Sequence, residues 1–175
     1  MNLPNRLTIL RILLIPLCIL FLLLRWDIPA ALVFVFACMT DYWDGHLARK
    51  KGLVTNFGKF ADPVADKILV ISVMVVLLAQ HRFPWWALCI VVIRELAVDG
   101  LRLIAIEQGL VIAAGPLGKY KTVCQMAGVL AAILNAPVVL VMVLCVVLSA
   151  LTIISGVKYF IDGKSLLDPH DSPAC

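Results

Sequence analysis

Charge is scarce in this chain. Asp, Glu, Lys and Arg make up 15% of its 175 residues, against 63% hydrophobic, and the mean hydropathy is +1.04. A soluble domain of this length would carry far more charge on its surface. The apolar runs must therefore face lipid, and no room remains for a soluble domain beside them. Cysteine offers no motif. Cys18, Cys38, Cys89, Cys124, Cys145 and Cys175 are scattered, with no CxxC and no Cys/His cluster. Five of them lie inside apolar runs, where they read as packing residues. A removable leader is not expected either. The run from Ile12 to Leu24 follows Arg6 and Arg11 but ends in Arg25-Trp26-Asp27, with no small-residue cleavage site. It reads as a retained first span. The chain has no internal repeat. Its net charge of +4 is modest, and reflects membrane orientation rather than nucleic-acid binding.

What is present is a series of six apolar segments, roughly 5–24, 28–48, 60–80, 84–106, 118–135 and 137–158. Each approaches the ~20 residues that a helix needs to cross the hydrocarbon core. Long continuous runs favour helices over strands. Asp27-Ile28-Pro29, Lys51-Gly52, Arg82-Phe83-Pro84, Gly115-Pro116 and Asn135-Ala136-Pro137 separate them, and Trp26, Trp85 and Trp86 stand at segment ends. With both termini in the cytoplasm, only Arg25 and Arg82 of the 15 Lys and Arg fall at outer ends. That asymmetry orients the chain N-in, C-in. The expected fold is an all-α integral membrane protein with six transmembrane helices. A single domain spans residues 1–161. Residues 162–175 form a short polar tail, expected to be poorly ordered.

Against this background residues 41–67, "DYWDGHLARKKGLVTNFGKFADPVADK", are unusual. On a helix Asp41, Asp44, Gly45 and Ala48 fall within an arc of ~100°, with Arg49 just beside it. Gly58, Asp62 and Asp66 follow at i, i+4, i+8 and share one face of the next helix. A short turn around 50–57 makes the two helices antiparallel neighbours, so four carboxylates converge. A single Asp at the centre of a membrane helix costs about 2.5–3.5 kcal/mol, and four also repel one another. Divalent cations in a polar cavity open to the cytoplasm would relieve both costs. All-oxygen ligation points to Mg²⁺ or Mn²⁺, or to Ca²⁺, rather than zinc. Two ions ~4 Å apart would suit phosphoryl chemistry. The competing reading pairs each Asp with Arg49, Lys59 or Lys67. Gly45 and Gly58 allow either close helix packing or close approach of a ligand.

The spacing Asp-x2-Asp-Gly-x2-Ala-Arg-x8-Gly-x3-Asp-x3-Asp resembles the signature of the CDP-alcohol phosphatidyltransferase family. It is matched at all eight positions: Asp41, Asp44, Gly45, Ala48, Arg49, Gly58, Asp62 and Asp66. "NLPNRLTILRILLIP", "FADPVADK", "IRELAVDGLRLIAIEQGLVIAAGPLGKYKT" and "ISGVKYFIDG" extend the likeness over most of the chain, toward the branch whose acceptor is sn-glycerol 3-phosphate. Asp99 departs from it, since a small hydroxyl residue or alanine is expected there. The resemblance implies a six-helix membrane enzyme, usually a homodimer among membrane lipids. Such an enzyme moves the phosphatidyl group from CDP-diacylglycerol to sn-glycerol 3-phosphate and releases CMP. By position, Asp41, Asp44, Asp62 and Asp66 would hold the metals, and Asp66 would also act as general base. Gly45, Ala48, Gly58 and Arg49 would meet the cytidine nucleotide, with Asn5, Thr8 and Arg11 on the first helix bordering it. An unactivated hydroxyl needs a base within reach, and a pyrophosphate needs cations as charge builds on the leaving CMP. The lack of a transit-like N-terminus favours a bacterial cytoplasmic (inner) membrane.

Glycerol 3-phosphate is a dianion, and its pocket should be basic. Arg94 and Arg102 lie ~80° apart on the fourth helix, and Lys119 and Lys121 follow at the mouth of the fifth. Arginine suits bidentate phosphate recognition. Alternatively, Lys119 and Lys121 are positive-inside anchors, and Arg94 forms an internal ion pair with Glu95. Two other functions compete. A sister transferase would use phosphatidylglycerol, inositol phosphate or serine. A cation transporter lined by aspartates is disfavoured by the basic cluster, the one-sided clustering and the lack of inverted repeats.

Overall fold

The computed structural model describes the backbone of residues 3–51, 56–107 and 116–162, and the side chains of residues 9–40, 64–65, 67–105 and 117–162. Six helices follow one another: α1 (Leu3–Leu23), α2 (Asp27–Lys51), α3 (Asn56–Ala79), α4 (Trp85–Glu107), α5 (Pro116–Ile133) and α6 (Val138–Asp162). No strand occurs among the described residues. The helices match the six apolar segments one to one. α2 runs on to Lys51, α3 begins at Asn56 and α6 ends at Asp162, because hydropathy marks only the apolar part of a helix. The charged turns beyond it are helical as well. Asp162 is the only residue of the expected polar tail that lies within the described residues.

Three of the connections share one geometry. Arg25, His81 and Asn135 adopt left-handed φ values of 59°, 58° and 55°. The amide of the residue after each reaches five residues back: Trp26 to Phe21, Arg82 to Leu77 and Ala136 to Ala131, at 2.9–3.0 Å. The left-handed residues bond three back, to Leu22, Leu78 and Ala132. Each is a Schellman stop, which satisfies carbonyls that the helix end leaves open. Pro29, Pro84 and Pro137 follow within a few residues. All three stops lie at one end of the bundle, hereafter the turn end. The connections at the opposite end, 52–55 and 108–115, lie outside the described residues.

α1 packs extensively on α2 and α3, and α6 on α5 and α4. α5 also touches α2 and α3, which joins the two groups. α2 and α3, consecutive in the chain, touch each other far less, since α1 packs against both. The core is aliphatic, with Leu22, Phe34, Leu69, Met74, Leu77, Ile133 and Leu148 fully buried. Large apolar side chains also point outward on every helix, among them Leu13, Leu32, Ile68, Leu96, Val123 and Val139. A water-soluble surface rarely exposes so many, whereas a bilayer solvates them. α6 is by itself long and apolar enough to cross a membrane, and shorter apolar stretches occupy Ile9–Leu23, Asp27–Thr40 and Lys67–Ala79.

Candidate functional site

The signature residues lie on continuous helices. Asp41, Asp44, Gly45, Ala48 and Arg49 belong to α2, which is unbroken to Lys51. Gly58, Asp62 and Asp66 belong to α3, which is unbroken from Asn56. Asn5 and Thr8 lie in the first turns of α1. The helical spacing on which the convergence argument rests is therefore present in the backbone. The side chains of all these residues fall outside the described set. No group of metal-ligating side chains occurs among the described residues. The donor set itself, four carboxylates in helical register, fits hard divalent cations. Arg11, one turn beyond Thr8, is fully buried in α1.

The residues expected to hold the second substrate are described in detail, and Arg94, Arg102 and Lys121 lie in one cluster. Glu95 on α4 is buried and central. It accepts from Arg94 Nη1 at 3.0 Å and from Lys121 Nζ of α5 at 2.5 Å. Lys67 Nζ of α3 stands 3.6 Å from its other oxygen, and also contacts Asp99 Oδ2 directly. Further along α4, Arg102 Nη2 donates to the Tyr159 hydroxyl of α6 at 2.9 Å. Both guanidiniums lie against the Tyr159 ring, with Cζ 5.5 Å from its centroid for Arg94 and 5.4 Å for Arg102. Lys119 is exposed, while Lys121 is buried. The two-residue offset that left both open in the sequence thus puts one in the cluster and one at the surface.

The expected Arg94–Glu95 ion pair exists, yet it does not exhaust Arg94. The Nε atoms of Arg94 and Arg102 are buried and have no hydrogen-bond partner. Among the described side chains, Lys67, Arg94 and Lys121 gather around Glu95 and Asp99, with Arg102 beside them at Tyr159. Among the described residues Arg102 pairs with no carboxylate, and both unbonded Nε–H groups are buried. A phosphate dianion would accept from them. A 40 Å³ cavity lies among Lys67, Glu95, Lys121, Thr122 and Gln125. Two apolar clefts open sideways. One, of 540 Å³ between α4 and α6, reaches Arg94 along Ile93, Ala97, Val157 and Phe160. The other, of 320 Å³ between α2 and α5, is lined by Phe34, Val35, Cys38, Met39, Met126 and Leu130, and ends two residues before Asp41.

Three participants were not assigned to this cluster from the sequence. Lys67 was considered only as a partner for the aspartates, and Asp99 only as a departure from the expected residue. Tyr159 was not singled out, although "ISGVKYFIDG" contains it. The available signal was a polar-tipped aromatic three residues after a glycine, at the polar end of an apolar helix.

A helical bundle with lipid-compatible sides and a pair of arginines with unbonded buried donors at one end suits an enzyme that handles phosphate esters of lipids. Residues 1–155 match the family model described as CDP-alcohol phosphatidyltransferase. The chain belongs to that family of phosphotransferases, which move phosphatidyl groups from CDP-alcohols and use divalent metals. A relative from Bacillus subtilis (strain 168), named CDP-diacylglycerol–glycerol-3-phosphate 3-phosphatidyltransferase, is 40% identical over 91% of this chain and 93% of its own length. One of the same name from Rickettsia typhi is 38% identical over 91% of this chain and 95% of its own length.

Proposed function

We propose that the protein transfers the phosphatidyl group of CDP-diacylglycerol to sn-glycerol 3-phosphate, giving phosphatidylglycerophosphate and CMP. The single observation that carries the acceptor is the Arg94/Arg102 pair, with two buried guanidinium Nε–H groups still to be bonded. It matches a phosphate dianion in charge and donor type. The names of the two relatives support the same acceptor.

The reaction is a direct displacement. The acceptor hydroxyl attacks the phosphatidyl phosphorus as Asp66 takes its proton. The new P–O bond forms and the bond to CMP breaks. Arg94 and Arg102 hold the acceptor phosphate, so that a bimolecular step proceeds at a fixed distance. Gly45, Ala48 and Gly58 leave space for the nucleotide, Arg49 meets its phosphates, and Asn5 and Thr8 border it. Asp41, Asp44, Asp62 and Asp66 would hold two divalent ions, Mg²⁺ or Mn²⁺, whose charge offsets that of the leaving CMP. The α2–α5 cleft, next to Asp41, is suited to the donor's acyl chains.

The six helices span the bilayer N-in and C-in as one domain, residues 1–161, in a homodimer. The end opposite the Schellman stops faces the cytoplasm of a bacterial inner membrane. The distribution of Lys and Arg supports this orientation.

The test is CMP release by purified protein given CDP-diacylglycerol, Mg²⁺ or Mn²⁺, and a panel of acceptors. Turnover is expected with glycerol 3-phosphate, to be lost with EDTA and to return with either ion. Preference for phosphatidylglycerol, inositol phosphate or serine would overturn the acceptor, and full activity in metal-free buffer would overturn the metal reading.

A further inference from the structure

Two guanidiniums eight residues apart on one helix have little reason to stay together. They repel in a medium of low dielectric, and their long stems can carry each head toward water. Yet Arg94 and Arg102 both lie at one aromatic ring. Tyr159 is buried, its centroid is within 5.5 Å of each Cζ, and its hydroxyl accepts from Arg102 Nη2 at 2.9 Å. The negative face of an aromatic ring attracts cations without cancelling their charge. A carboxylate in the same place would neutralise them, as Glu95 does in part for Arg94.

One turn earlier, Gly156 clears the route. A Cβ there would stand 3.3 Å from Arg94 Cγ, tighter than ordinary contact. The missing side chain lets the Arg94 stem run along α6 toward the ring. We propose that Tyr159 and Gly156 of α6 form a clamp that positions Arg94 and Arg102 as one fork for the acceptor phosphate while leaving its charge available. Tyr159 is a positioning residue, because it acts through the two arginines. The inference rests on the acceptor reading above and adds α6 to the site.

The experiment measures KM for each substrate and kcat for Tyr159→Leu, Tyr159→Phe and Gly156→Ala. Tyr159→Leu should raise KM for glycerol 3-phosphate about tenfold, a size within the range of a desolvated cation–π contact. KM for CDP-diacylglycerol should stay within about twofold. Tyr159→Phe keeps the ring and should recover most of the loss. In an Arg94→Ala/Arg102→Ala background Tyr159→Leu should add nothing, because residues that act through one another are non-additive. Unchanged acceptor KM, equal rises for both substrates, or additive losses in that background would each overturn the clamp. If Tyr159→Leu does not fold, Gly156→Ala must show the same one-sided rise for the clamp to stand. The two readings fail differently. A wild-type protein that uses only phosphate-free acceptors removes both. A wild-type protein active on glycerol 3-phosphate, with variants that leave its KM unmoved, removes the clamp alone.

Discussion

Arg82 and the pair Arg94/Arg102 place half-buried arginine in opposite settings. At the turn end Arg82 Nη1 donates to Asp27 Oδ1 at 2.6 Å and to the Ile133 carbonyl at 3.3 Å. One side chain thus ties the start of α2 and the end of α5 to the α3–α4 connection. Nearby, Gln80 Nε2 bonds the Leu22 carbonyl at 2.7 Å, joining α1 to the same knot. One cation there meets one carboxylate. At the other end, among the described residues, Arg102 meets a tyrosine and no carboxylate, and the Nε atoms of Arg94 and Arg102 remain without a partner. Balanced charge fastens helices together. Unbonded buried donors store a demand for an anion, and holding them in place costs stability unless a ligand supplies one.

The comparison breaks most visibly at the chemistry. Asp66→Asn keeps the shape of the side chain and loses the proton acceptor. Turnover should fall at least about a hundredfold, the size typical of losing a general base. CDP-diacylglycerol binding should stay measurable by calorimetry on the same preparation. Near-normal CMP release would mean that another group takes the proton.

Next in size are the arginines themselves. Arg94→Ala or Arg102→Ala should raise KM for glycerol 3-phosphate about ten- to hundredfold, the range of a lost charge-assisted hydrogen bond, with far less change for CDP-diacylglycerol. Arg82→Ala should do the reverse. It should leave both KM values alone and lower stability by about 1–3 kcal/mol, as expected when a hydrogen-bonded charge loses its partner, read as a lower melting temperature in detergent. If all three variants lose stability and none shifts the acceptor KM, the two ends do not differ in function.

The smallest effect should come from Asp99. It occupies Lys67 directly, so Asp99→Ala frees that ammonium and adds one positive charge to the cluster. KM for glycerol 3-phosphate should fall by about two- to threefold, a partly exposed pair being worth less than ~1 kcal/mol. A rise instead would show that Asp99 holds Lys67 where the acceptor needs it.

Much of the architecture was legible because it depends on neighbours in the chain. Apolar runs marked the six helices, and Pro29, Pro84 and Pro137 marked three of the connections. The Schellman stops themselves were not legible, since Arg25, His81 and Asn135 stand where glycine is the usual signal. The cluster was legible in part. Arg94 with Glu95 are adjacent, and their ion pair was weighed as an alternative to phosphate binding; the structure contains it beside unspent donors. Lys119 and Lys121 were indistinguishable until α5 was placed in the bundle, where Lys121 reaches Glu95.

The sequence by itself determined the all-helical bundle, the register of the aspartates and the family, because composition, helical periodicity and motif spacing are local properties. Only the tertiary structure decided which charges meet. Lys67 finds Asp99 across 32 residues, Arg82 finds Asp27 across 55, and Arg102 finds Tyr159 across 57. Periodicity fixes where a side chain stands around its own helix, but not how that helix is rotated against its neighbours. Rotation is set by the packing of all six helices at once, and it is what gathers scattered basic residues into one cluster.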